Sequence, residues 1–204
     1  MSKTKILLIG ANGYIGYKLF LSLLENNFEV IGVDNFIRSD GKNKSDKRIF
    51  EKSYQELDSI FLSQFTDCIW MAGHSSVKMS IDDENGALKN NLFDLINFVN
   101  VFSGRFIYAS SGSVYSRVNA EKSREDSTNM VPTNVYDYTK LAFDNYISVT
   151  KKNAIGLRFG TVNGHSERLR NELMVNSMAE STPGFITINL FSLIPSSIAR
   201  FFVY

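Results

Sequence analysis

Cysteine occurs once in this chain of 204 residues, at Cys68. A single cysteine can form neither an internal disulfide nor a thiolate cage for a metal. Within Asp67-Cys68-Ile69-Trp70-Met71 it reads as a small residue of a buried strand. Histidine is almost as scarce: His74 and His165 lie far apart without metal-ligand spacing, so no metal site is expected. Charge of one sign is also missing, because 22 basic side chains face 21 acidic ones for a formal net charge of +1. That balance gives no electrostatic footprint for nucleic acid or an anionic membrane. The one loose basic run, Arg38 to Lys52, is mixed with Asp40, Asp46 and Glu51 and reads as solvated surface. No stretch is apolar enough to span a membrane. Met1 to Ile6 has no apolar run followed by a small-residue cleavage site, as a signal peptide would. Repeats and low-complexity segments are absent. The expectation is a cytoplasmic globular chain, long enough for one good-sized domain or one domain plus part of another.

What is present alternates. Lys5 to Ile9 is a short apolar run ending in glycine, the pattern of a buried parallel strand. Tyr14 to Glu25 carries Ile15, Leu19, Leu23 and Leu24 at helical spacing, and Glu29 to Val33 is a second strand. The polar stretch from Ile37 to Lys52 reads as a loop with a short strand near Arg48 to Phe50. A short helix is expected over Tyr54 to Phe65, a strand over Asp67 to Met71, and one long amphipathic helix over Glu84 to Phe102. Arg105 to Ala109 is a strand, Val135 to Thr150 a helix, and Ala154 to Arg158 a strand again. This order predicts an α/β fold, a doubly wound parallel sheet of Rossmann type with helices on both faces. Ligands on such sheets lie beyond the carboxyl ends of the strands, where Gly10, Asp34, Ala72, Ser110-Ser111 and Phe159-Gly160 converge.

The first of these ends is Gly10-Ala11-Asn12-Gly13-Tyr14-Ile15-Gly16. Glycines permit a sharp turn and close backbone approach, and the N–H groups of the following helix start favour a pyrophosphate. The spacing is G-x-x-G-x-x-G rather than the general G-x-G-x-x-G. Asp34, at the end of the second strand, can accept from both hydroxyls of an adenosine ribose and repels a 2′-phosphate, which favours NAD over NADP. Arg38 nearby keeps NADP as the alternative.

A third constellation lies downstream. Tyr136 and Lys140 are one helical turn apart and share a face. An ammonium beside a phenol lowers the phenol pKa toward neutrality, and such a tyrosine can act as acid or base at a sugar hydroxyl. A serine at the end of the neighbouring strand could hydrogen-bond the same oxygen.

Taken together, from Lys5 to Glu180, the chain resembles the extended short-chain dehydrogenase/reductases, in particular their NAD-dependent epimerase/dehydratase branch acting on nucleotide sugars. The resemblance rests on the Gly10/Gly13/Gly16 turn, Asp34-Asn35, Met71-Ala72-Gly73, the serine-rich strand end before Tyr115, Glu125-Asp126 with Pro132, Tyr136/Lys140, and Leu157 to Gly164. It implies Ser111, Tyr136 and Lys140 as catalytic residues, with Lys140 also holding the nicotinamide ribose. It implies that Tyr14 and Ile15 give N–H groups to the pyrophosphate and that Asn35 lies beside Asp34 near the adenosine. Ala72 and Gly73 would pass along the cofactor, and Asn90 would support the helix on the cofactor side.

Departures shape the reading. Ser111 is followed by Gly112-Ser113, not by the acidic pair with which the family's dehydratases eliminate water, so epimerisation or keto reduction is favoured. The family's usual asparagine in the strand after Lys140 stands here as Thr161. Residues 1–165 are expected to form the NAD-binding domain and 166–204 part of a substrate-binding lobe. Beyond Asn189 the resemblance fails, and the apolar stretch from Leu190 to Tyr204 suggests a truncated product. Three functions stay open: an NAD-dependent nucleotide-sugar epimerase, an NAD(P)-dependent carbonyl or nucleotide-sugar reductase, and a non-catalytic dinucleotide-binding module or inactive fragment. A nucleotide sugar is the expected partner, with no nucleic acid and no membrane. The family's habit of pairing through helices 84–102 and 135–150 makes a homodimer possible.

Overall fold

The computed structural model describes residues 4–37, 46–117, 123–127, 129–166, 168, 170, 173, 176 and 177. Arg38, and the segment from Leu190 to Tyr204 on which the truncation reading rests, lie outside the described residues.

Among the described residues six strands form one sheet: β1 (Lys5–Ile9), β2 (Glu29–Asp34), β3 (Ile49–Glu51), β4 (Asp67–Trp70), β5 (Arg105–Ser111) and β6 (Ala154–Phe159). Their order is β3-β2-β1-β4-β5-β6, and every pairing is parallel. The Rossmann-type expectation is met. The chain reverses its direction of winding between β1 and β4, which opens a crevice beyond the ends of these two strands.

Why β1 is apolar throughout follows from the two faces of the sheet. Ile6 and Leu8 pack on one side with Tyr17, Phe20, Val30 and Ile49. Leu7 and Ile9 pack on the other with Trp70, Leu95, Phe98, Phe106 and Phe143. Side chains alternate along a strand, so a sheet covered on both faces needs a continuous apolar run rather than an alternating one. The second core is tied together by aromatic edges, Trp70 on Phe98 at 5.0 Å and Tyr108 on Phe143 at 4.7 Å. Such pairs add about 0.5–1.5 kcal/mol each beyond their burial. Cys68 is fully buried in this core, as its neighbours implied, and burial pushes its thiol pKa up.

Among the described residues the helices on the sheet are α1 (Tyr14–Glu25), α2 (Ser59–Leu62), α3 (Val77–Asp82), α4 (Glu84–Leu88), α5 (Asp94–Val101) and α6 (Val135–Thr150). Two expectations need correction. The helix read over Tyr54 to Phe65 is a 3-10 turn at Tyr54–Glu56 followed by α2, which restarts at an Asp58 cap accepting from the Phe61 N–H at 2.7 Å. The single helix read over Glu84 to Phe102 is α4 and α5 joined by a π-helical segment at Lys89–Phe93. Helix α3 has no counterpart in the expected elements; Ser76 caps it by accepting from the Met79 N–H. Asn134 caps α6 by accepting from the Asp137 N–H at 2.9 Å, and Lys151 ends it in a left-handed conformation at φ 50°.

Candidate dinucleotide and active site

The turn after β1 is built on two steric necessities. Gly10 sits at φ +81°, and a Cβ there would lie 2.5 Å from the backbone nitrogen of Ala72. A Cβ on Gly16 would lie 1.9 Å from the carbonyl oxygen of Gly10. The turn, β4 and the start of α1 therefore touch backbone to backbone. Gly13 is different: it is exposed, and its Cβ would meet the Gly10 oxygen at an ordinary 3.4 Å. It precedes α1 in an extended conformation with no side-chain cap, which leaves the first helical N–H groups, those of Tyr14 and Ile15 included, directed at whatever occupies the crevice.

Asp34 faces the same turn from β2. Its Oδ2 accepts from the Asn12 N–H and its Oδ1 from the Phe36 N–H, each at 2.9 Å. Burial pushes its carboxyl pKa up, opposed by these two N–H groups and by the Arg168 guanidinium. Asn35 accepts from the Ile37 N–H at 3.3 Å and so shapes its own loop beside Asp34. Arg168 was not singled out in the sequence. It donates to Asn12 Oδ1 at 2.6 Å and lies 5.4 Å from the centre of the Tyr17 ring. Asn12 Nδ2 and the Nε and Nη1 of Arg168 are buried and find no acceptor among the described residues. Three orphaned donors beside a carboxylate suit a ligand rich in both oxygens and hydroxyls, as the ribose and phosphates of a dinucleotide are.

After β4 the chain runs through Ala72 and Gly73, both on the cavity wall. Gly73 has φ +139°, and a Cβ there would lie 2.4 Å from Asn91 Oδ1. Asn91, fully buried in the π-helical segment, accepts from the His74 N–H at 2.9 Å. Its amide donates to the His74 carbonyl at 3.0 Å and to Thr139 Oγ1 on α6 at 3.3 Å. The expected supporting residue, Asn90, instead meets the His74 ring at 3.1 Å and is not among the residues lining the cavity. Asn91 and Thr139 hold this loop beside Asn90; sequence reading missed them, since their partners lie 17 and 48 residues away and no local signal marks them.

Ser111, Tyr136 and Lys140 meet on a cavity of about 590 Å³ that Tyr14, Ile15, Ala72 and Gly73 also line. Both candidate serines line the cavity, but their partners differ. Ser110 turns to the α6 side and donates to Asp144 at 3.0 Å, whereas Ser111 hydrogen-bonds Tyr136 and Ser113. Lys140 is buried, donates to the Ala109 carbonyl at 2.9 Å and lies 5.7 Å from the centre of the Tyr136 ring. Burial lowers its pKa to about 8, opposed by the charge of Asp144. One electrostatic expectation is corrected. Burial pushes the Tyr136 phenol up, and what opposes this is the Ser111 hydrogen bond and the charge of Arg170, not Lys140. Arg170 joins the cavity from beyond β6 and donates to Ser75 Oγ at 2.9 Å.

Comparison with known proteins agrees with this geometry. Residues 6–182 match the model of the NAD dependent epimerase/dehydratase family. The chain is 30% identical over 189 residues to ADP-L-glycero-D-manno-heptose-6-epimerase of Brachyspira hyodysenteriae, covering 82% of this chain and 58% of that one. It is 29% identical over 184 residues to protein CapI of Staphylococcus aureus, covering 78% and 54%. Among solved structures, UDP-glucose 4-epimerase of Thermus thermophilus in complex with NAD superposes with a TM-score of 0.70 at 25% identity, covering 87% of this chain and 61% of that one. The chain thus spans less than two thirds of the length of these relatives. With Tyr14 and Ile15 of the glycine turn and the Ser111/Tyr136/Lys140 cluster on one cavity and the family model matched over residues 6–182, this chain belongs to the NAD dependent epimerase/dehydratase family.

Proposed function

We propose that the chain binds NAD and epimerises a nucleotide sugar, with residues 1–165 as the cofactor unit and 166–204 as the start of a substrate lobe. The observation that carries this reading is the meeting of Ser111, Tyr136 and Lys140 with Tyr14, Ile15, Ala72 and Gly73 on one cavity wall. NAD is the cofactor, and when bound it supplies reversible hydride acceptance. Asp34 holds the adenosine ribose by accepting from its hydroxyls, with Asn35 alongside. The free N–H groups at the start of α1 and the charge of Arg168 hold the pyrophosphate. Lys140 holds the nicotinamide ribose and keeps positive charge near the phenol.

Tyr136 moves the proton: its oxygen accepts the proton of the sugar hydroxyl as the carbon beneath is oxidised, and gives it back on reduction. Ser111 donates to the same sugar oxygen and orients it. Burial pushes the phenol up, and the Ser111 hydrogen bond and the charge of Arg170 oppose this in favour of the phenolate. Gly112 and Ser113 offer no carboxylate after Ser111, which disfavours elimination of water. The keto reductase reading uses the same residues and differs in consuming the dinucleotide.

The test begins with the chain purified without added cofactor, denatured and analysed by mass spectrometry for released NAD. A panel of UDP- and ADP-hexoses is then incubated with the protein while NADH absorbance and sugar isomers are followed. Isomers without net NADH change, lost in Tyr136→Phe, support the proposal. Stoichiometric loss of added NADH with a reduced sugar product supports the reductase. NAD binding with neither an isomer nor a reduced sugar formed overturns both.

A further inference from the structure

Beyond β6 the chain turns back to the crevice and touches both of its lips. One lip is the glycine turn after β1. There the Tyr14 hydroxyl donates to the Gly164 carbonyl at 2.8 Å, Ser166 Oγ to the Tyr14 carbonyl at 3.2 Å, and Arg168 to Asn12 Oδ1 at 2.6 Å. The other lip is the loop after β4. There Arg170 donates to the Ser75 carbonyl at 3.3 Å and to Ser75 Oγ at 2.9 Å. Asn176 joins the two sides. It is 5% exposed, and its amide donates to the Tyr14 hydroxyl at 3.2 Å and to the Arg170 carbonyl at 3.0 Å. The Tyr14 hydroxyl therefore gives its proton to Gly164 and accepts from Asn176, so it is used in both roles. Tyr14, Ser75, Arg170 and Leu173 all line the cavity.

We propose that Gly164, Ser166, Arg168, Arg170 and Asn176 form a strap across the crevice, latched by the Tyr14 hydroxyl and the Asn176 amide, and that NAD enters and leaves when this latch opens. The proposal rests on the reading that the glycine turn holds NAD. Tyr14 and Ile15 stand on the same cavity as Tyr136 and Lys140, so a dinucleotide that reaches both pairs occupies the crevice the strap crosses. The latch bonds join protein to protein. Breaking them therefore lowers the barrier to entry and to exit alike, because both movements cross the same strap. Weakening a direct contact to the nucleotide acts on exit alone. The two rates thus separate a latch from a binding contact.

The experiment needs no turnover. The chain is freed of nucleotide on charcoal, NADH association is followed by stopped-flow fluorescence, and release is followed by a chase with excess NAD. Asn176→Ala removes the bonds to the Tyr14 hydroxyl and the Arg170 carbonyl. Tyr14→Phe removes the bonds to Gly164 and Asn176 while keeping the ring and the backbone N–H. In each variant association and release both quicken, by about tenfold for two lost hydrogen bonds. A merely structural role moves the rates differently: a loosened nucleotide site quickens release and leaves association unchanged or slower. That pattern, or unchanged rates, overturns the proposal. Should Asn176→Ala fail to fold by circular dichroism, Tyr14→Phe decides: quickened association supports the latch, unchanged or slowed association overturns it. Absence of NADH binding by the wild-type chain overturns the proposed function together with the latch. NADH bound by wild type and variants at the same rates overturns the latch alone.

Discussion

At Gly16 one methyl group is the difference between a closed and a broken phosphate turn. The Cβ of an alanine would lie 1.9 Å from the Gly10 oxygen, a backbone atom that cannot swing away. Gly16→Ala should therefore destabilise the chain by about 1–3 kcal/mol, as overpacking does, and abolish NAD binding; urea unfolding and calorimetric titration measure the two effects. Gly13→Ala has ordinary room in the protein and should cost less stability. Lys140 makes the second residue-scale prediction. Its pKa is near 8 when folded and 10.5 when unfolded. Below pH 8 both states are protonated. Between the two values the unfolded chain binds the extra proton, so stability rises with pH. The stability difference between wild type and Lys140→Met should climb between about pH 8 and 10.5, by at most about 1.4 kcal/mol per pH unit, and then level off. Denaturant melts at matched pH values test this, and a flat difference would count against a buried ammonium.

Among the elements, the π-helical segment between α4 and α5 is the instructive one. Its extra residue per turn brings Asn91 into the core, where one side chain holds both backbone groups of His74 and the Thr139 hydroxyl. The loop along the proposed cofactor path is thereby tied to the helix that carries Tyr136 and Lys140. Asn91→Ala leaves buried backbone groups unpaired and should cost about 1–3 kcal/mol for the first of them, with weaker NAD binding. Asn90→Ala, which removes a contact to the His74 ring, should cost less, and chemical denaturation of the two variants side by side checks the order. The N-cap of α6 makes a smaller prediction: Asn134→Ala should lower stability by about 1 kcal/mol, read as a fall in the denaturation midpoint. In the sequence the stretch from Glu84 to Phe102 reads as one helix, because periodicity records which residues are apolar and not an extra residue in a turn.

At the scale of the whole molecule the sheet carries both the core and the site. Phe106 in β5 is fully buried and touches Trp70, Phe98, Tyr108 and Phe143. Phe106→Ala should cost about 3–5 kcal/mol. Trp70 is the single tryptophan and is 2% exposed, so its fluorescence and far-ultraviolet circular dichroism should report one shifted, coincident transition. Separate transitions would show that the two cores unfold independently. Among the described residues no helix is long and apolar enough to cross a membrane, and no group of three candidate ligands could hold a metal ion.

The order of the strands, the glycine turn, Asp34 and the Tyr136/Lys140 pair were legible without coordinates. Apolar periodicity and a glycine before a helix are local properties, written within a few residues of one another. Tertiary structure decided what depends on partners far along the chain. It gave Ser110 to Asp144 and Ser111 to Tyr136 and Ser113, although both serines line the cavity. It brought Arg168 to Asn12 across 156 residues and Asn91 to Thr139 across 48. It also reversed the expected shift of the Tyr136 phenol, since the water a side chain loses on burial is set by the whole fold and not by the lysine one turn away.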